Sequence, residues 1–99
     1  MLVHSVYFWL KPDLSEADRT TFKEGLESLA GIPVVNAIKV GTPAATPERP
    51  VIDASYDFGL MVLLDNMADH DVYQQHPLHQ SFLEHCSGMW DRVVVYDFD

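Results

Sequence analysis

The stretch Leu2-Val3-His4-Ser5-Val6-Tyr7-Phe8-Trp9-Leu10 decides the fold. It is rich in β-branched and aromatic residues, and Lys11-Pro12-Asp13 closes it, so it reads as a strand. Side chains two apart share a face, which sets His4, Val6, Phe8 and Leu10 against Val3, Ser5, Tyr7 and Trp9. Both faces are largely apolar. The run from Asp57 to Leu64 repeats the pattern, with Phe58, Leu60, Val62 and Leu64 alternating with Gly59, Met61 and Leu63. An antiparallel sheet covered by helices on one side shows polar residues on the other, so a second apolar face demands a second cover. A further copy of the same chain supplies it. Two sheets packed face to face about a two-fold axis make a barrel-like homodimer with the helices outside.

Outward from that strand, Ser15 followed three residues later by Asp18 opens a helix. Phe22, Leu26 and Leu29 keep helical spacing until Gly31-Ile32-Pro33 ends it. Val34 to Val40 reads as the second strand, and Gly41 to Tyr56, with Pro43, Pro47 and Pro50, as a long irregular loop. After the strand from Asp57 to Leu64, Asn66 caps a short helix through Gln75. Pro77 begins another to about Ser87, and Arg92 to Phe98 is the last strand. The order β-α-β-β-α-β predicts an α+β, ferredoxin-like domain over residues 1–99: a four-stranded antiparallel sheet with both helices on one face, pairing into a dimeric α/β barrel.

Composition bounds the function. With 47% hydrophobic and 21% charged residues, 99 residues bury a core without disulfides or metal staples. The single cysteine, Cys86, excludes an intrachain disulfide and fits a reducing compartment. No apolar run approaches ~18 residues and no basic-then-apolar leader precedes Leu2, so the expected location is cytoplasmic. Residues 51–99 hold nine Asp or Glu against Arg92 as their only Lys or Arg. That field disfavours nucleic acid, anionic membranes and polyphosphates and leaves neutral or cationic partners.

The chemistry concentrates in Tyr73-Gln74-Gln75-His76-Pro77-Leu78-His79. Pro77 lacks a backbone N–H and belongs in the first turn of a helix, so one helix ends near Gln75 and the next begins at His76 or Pro77. The bend lets the Tyr73 phenol and the His79 imidazole reach one cavity, which suits proton transfer. Alternation points Asp97 toward the helices, where His79 is expected to meet it in a hydrogen bond. His76 reads as a helix cap, Cys86 as an inert buried thiol, and His70, between Asp69 and Asp71, as part of a solvated charged turn. His4, His79 and Asp97 would offer metal ligands from three elements. Without a Cys-x-x-Cys or His-Glu-x-x-His spacing, no metal and no cofactor are expected.

The chain resembles the stress-responsive A/B barrel (Dabb) domain family of the dimeric α+β-barrel superfamily over nearly its whole length. The residues that carry the likeness are His4 to Pro12, Tyr56-Asp57, the block Tyr73…His76-Pro77-Leu78-His79…Phe82, and Trp90…Tyr96-Asp97-Phe98. The resemblance implies the ferredoxin-like fold and the homodimer. It includes proteins without a settled activity and a cyclase that closes a polyketide ring by aldol condensation. By position, it implies Tyr73, His79 and Asp97 as catalytic tyrosine, general base and orienting carboxylate, with His4 in the pocket. Phe58 and Leu26 stand where the cyclase has a histidine and a tyrosine, implying a greasier ligand pocket. Two functions follow: a pocket binding a neutral small molecule, or a cofactor-free acid–base enzyme, an aldol-type cyclase or isomerase, acting on a carbonyl compound.

Overall fold

In the computed structural model, which describes residues Met1–Asp99, nine residues in a row extend as β1, Leu2–Leu10. A capping box then starts α1, Glu16–Ser28: Asp18 N–H donates to Ser15 Oγ at 3.0 Å, and Ser15 N–H to Asp18 Oδ2 at 3.2 Å. Each of these bonds satisfies an amide that the first helical turn leaves without a partner. A 3₁₀ turn over Leu29–Gly31 extends the helix. β2 is Ala37–Gly41 and β3 is Phe58–Leu64. Asn66 accepts from Asp69 N–H at 2.9 Å to cap α2, Met67–Gln75. α3 is Pro77–Cys86 and β4 is Trp90–Phe98. The expected β2 begins three residues late, because residues 32–36 form a turn closed by the Val35 N–H to Ile32 carbonyl bond. β4 begins two residues early, at the partner of Leu10.

The four strands form one antiparallel sheet in the order β2-β3-β1-β4. Its register opposes Val6 to Leu60 and Phe8 to Phe58 on one side, and Val6 to Val95 and Phe8 to Val93 on the other. Opposed residues share a face. The expected ferredoxin-like topology is present, with the helices on the face that carries Leu2, His4, Val6, Phe8 and Leu10, all buried.

The core between sheet and helices is dominated by rings. Phe22 lies 5.1 Å from Phe8 and 5.6 Å from Phe58, centroid to centroid, and Phe82 stacks on Trp90 at 6.1 Å. α1 approaches α3 closely at Gly25, where a Cβ would sit 3.0 Å from Cys86 Sγ and 3.2 Å from a Phe82 ring carbon. A side chain there would push the helices apart, so the absence of one sets their spacing.

The opposite face carries Val3, Tyr7, Trp9, Met61 and Leu63, all partly accessible, while Tyr96 and Phe98 are 63% and 62% exposed. The proline-rich loop between β2 and β3 folds over part of this face. Tyr56 packs edge-on against Tyr7 at 5.0 Å, and Trp9 Nε1–H donates to Ser55 Oγ at 3.1 Å. No helix is long and apolar enough to cross a membrane.

Candidate functional site

Between the sheet and the α2–α3 corner lies a cavity of about 180 Å³. Nine of its twelve lining residues are apolar, so it favours a ligand that is mainly hydrocarbon. Its titratable side chains are His4, Tyr73 and His79.

The corner that brings Tyr73 and His79 together is built as the sequence implies. α2 ends at Gln75, His76 is extended, and Pro77 takes the first position of α3. His76 Nδ1 accepts from Leu78 N–H at 3.1 Å, so this histidine is the cap of α3. Across the bend, the rings of Tyr73 and His79 lie 5.1 Å apart, edge to face. Tyr73 is fully buried, which excludes a surface hydroxyl. Its Oη and the Nδ1 of His79 are both buried and have no hydrogen-bond partner within the protein.

Asp97 departs from expectation. It pairs with His4, whose Nδ1 lies 2.6 Å from Asp97 Oδ1, and makes no hydrogen bond to His79. The register explains this: His4 and Asp97 are directly opposed across β1 and β4 and point to the same face. Opposed Cβ atoms stand only about 5 Å apart, within easy reach of a short carboxylate, whereas His79 stands in the helical layer. A carboxylate only accepts, so the pair fixes the His4 tautomer with its proton on Nδ1.

His70 also departs from expectation. It sits within α2, its side chain is 14% exposed, and its ring lies 5.2 Å from that of His4. The flanking aspartates suggested solvent, but α2 turns Asp71 outward and His70 toward the sheet. The i, i+3 relation of His70 to Tyr73, which puts both on the inner stripe of α2, is the signal that could have revealed it. One ring nitrogen of His4, one of His70 and a carboxylate oxygen of Asp97 lie within 4.8 Å of one another, so these are the residues able to hold a metal ion.

Leu26 and Phe58 do not line the cavity. Leu26 is completely buried, and Phe58 packs on Phe22 in the aromatic core. Leu29 and Leu60 form the wall instead.

The electrostatics of the pair follow from burial. Desolvation pushes the Tyr73 phenol above its ordinary value, so it remains an O–H donor. Desolvation pulls the His79 imidazole below its ordinary value, and the neighbouring His4 and His70 add to the shift when charged. A proton donor and a neutral imidazole thus stand side by side in an apolar wall.

A larger concavity of about 280 Å³ lies on the outer face among Tyr7, Trp9, Tyr56, Arg92 and Tyr96. It holds no orphaned buried polar atom.

Solved structures share the fold. A dimeric ferredoxin-like protein of unknown function from Thermobifida fusca is 22% identical, with a TM-score of 0.79 over 98% of this chain and 88% of that one. A Dabb family protein with a ferredoxin-like fold from Mesorhizobium loti is also 22% identical, with a TM-score of 0.79 over 99% and 94%. The hydroxynitrile lyase from Passiflora edulis is 19% identical, with a TM-score of 0.81 over 98% and 90%. No curated protein matches the sequence. The family model of the stress-responsive A/B barrel domain, Dabb, matches residues 2–99, and this chain belongs to that family.

Proposed function

We propose that the chain acts as a homodimer joined through the outer face of its sheet, and that the inner cavity of each protomer binds a neutral small molecule with a hydrogen-bonding oxygen. The observation that carries the second part is the pair of orphaned polar atoms, Tyr73 Oη and His79 Nδ1, beside a mainly apolar cavity. Each buried group without a partner costs about 1–3 kcal/mol, and a ligand oxygen placed between them relieves that cost. Size narrows the class further. A cavity of roughly 150 Å³ takes a benzene-sized ligand, so about 180 Å³ suits one ring with a small substituent. The dimer is supported by the accessible apolar outer face and by relatives described as dimeric.

A second reading, acid–base chemistry on a carbonyl compound, is favoured by the same pair. Tyr73 would donate to the carbonyl oxygen while neutral His79 took up a proton. Because Asp97 is committed to His4, His79 would work without a carboxylate to raise its basicity. A structural relative is a hydroxynitrile lyase, so the fold hosts enzymes as well as proteins of unknown function.

Acetophenone and its hydrocarbon analogue cumene separate hydrogen bonding from shape. The wild type is expected to bind acetophenone more tightly in ligand-observed NMR, and Tyr73→Phe to erase the preference. Equal binding of the two compounds by wild type, or no binding of either, overturns the reading.

A further inference from the structure

We propose that His4, His70 and Asp97 form a binding site for a divalent first-row transition cation, of the kind represented by Zn²⁺ or Co²⁺, at the edge of the inner cavity. Three elements converge to make it. β1 and β4 hold His4 and Asp97 as an opposed pair, and α2 lays the His70 ring edge-on to that of His4. The donor atoms, one from each residue, lie within 4.8 Å of one another. Metal–ligand bonds of about 2.0–2.2 Å place tetrahedral ligand atoms roughly 3.3 Å apart, so the site forms by movements of about 1 Å, the cation replacing the His4 Nδ1 proton that now bonds Asp97 and that proton leaving to solvent. The side chains that would move are the outer ones. His4 is fixed in the core at 3% exposure, whereas the Asp97 side chain is 39% exposed and His70 has only a long contact of 3.3 Å to Asp71.

The donor set selects the cation. Two imidazoles and one carboxylate suit borderline cations, whereas magnesium and calcium prefer oxygen throughout. Three protein ligands leave a fourth position for water or a ligand oxygen, and the exposed side of Asp97 is the route of entry. The surroundings add attraction: Asp69 and Asp71 flank His70, and residues 51–99 carry nine carboxylates against Arg92. Neither Tyr73 nor His79 is a ligand, so the site stands independently of the reading of the cavity given above.

Co²⁺ alone, titrated at neutral pH into the full chain after treatment with a chelator, tests this. The expected result is one equivalent bound per chain, with visible ligand-field absorption of a low-coordinate site, a raised melting temperature, and displacement by Zn²⁺. His70→Gln is expected to weaken binding by at least about tenfold, the loss that removing even an outer partner of a metal site can produce. Asp97→Asn should do the same, and His85→Gln should leave binding unchanged. His70 holds no buried hydrogen bond, so its variant reads the site even if the Asp97 variant folds poorly. Absent cobalt binding, binding retained in full by His70→Gln, or cobalt spread over several sites on the acidic surface would each overturn the proposal.

Discussion

The two ends of the inner layer are built on opposite rules. Around Phe8, near the C-terminal end of β1, rings pack on rings: Phe22, Phe58, Phe82 and Trp90 leave no buried polar atom without a partner. Four residues earlier, about 13 Å along the strand, His4 occupies the same face. Around it stand His70, Tyr73 and, beyond Tyr73, His79. The first end turns burial into stability. The second buries nearly as deeply but leaves two polar atoms without partners, so part of its burial energy is offset by desolvation. A layer that tolerates such a cost at one end needs the other end to compensate.

The sharpest way to break that contrast is to hollow out the aromatic end. Phe22→Ala removes a completely buried ring that touches four others, and is expected to destabilise the protein by about 3–5 kcal/mol in urea denaturation. A loss under about 1 kcal/mol would mean that this end is not the foundation of the layer.

At the histidine end, the satisfied pair should matter more than the orphaned one. Asp97→Ala leaves the buried Nδ1–H of His4 without an acceptor and is expected to cost about 1–3 kcal/mol, while Asp97→Asn, which can still accept, costs less. Equal losses from the two variants would contradict the hydrogen-bond account.

Tyr73→Phe should go the other way. The hydroxyl it deletes has no partner, so stability is expected to stay level or rise by up to about 1 kcal/mol. A clear destabilisation would reveal a hidden partner for Tyr73 Oη and remove the main support for ligand binding.

The smallest effect is the pH dependence. His79 has a folded-state pKa below its unfolded value, chiefly because it is desolvated, with His4 and His70 adding repulsion when charged. As pH falls through about 6.5, the unfolded chain takes up the proton first, so stability contributed by neutral His79 is complete above that value and declines below it. Urea midpoints should therefore drop between about pH 7.5 and about pH 5.5, with a shallower drop in His79→Gln. An identical slope in wild type and variant would assign the effect to other groups.

Much of this is legible in the order of residues alone. Period-two alternation in Leu2–Leu10 and Phe58–Leu64 separates an inner from an outer face, because a strand cannot turn neighbouring side chains to the same side. Ser15, Asn66 and Pro77 mark helix starts, because their side chains or missing N–H act on amides only a few residues away. The bend at Pro77 likewise brought Tyr73 and His79 to one cavity through a local constraint.

What the tertiary structure alone decided depends on register and layer spacing. Asp97 could be placed on the helix-facing side of β4 from alternation, but His4, and not His79, is its partner because the β1–β4 register opposes residues that are 93 apart in sequence. Leu26 and Phe58 look like pocket residues by position, yet the close approach of α1 and α3 at Gly25 accompanies their burial in the aromatic core. His70 looks solvated between two aspartates, yet the orientation of α2 over β1 turns it onto His4. Alternation, caps and proline act over a few bonds and can be read from the order of residues. Which imidazole meets which carboxylate depends on how strands align and helices settle across the whole domain, and no short stretch of sequence contains that information.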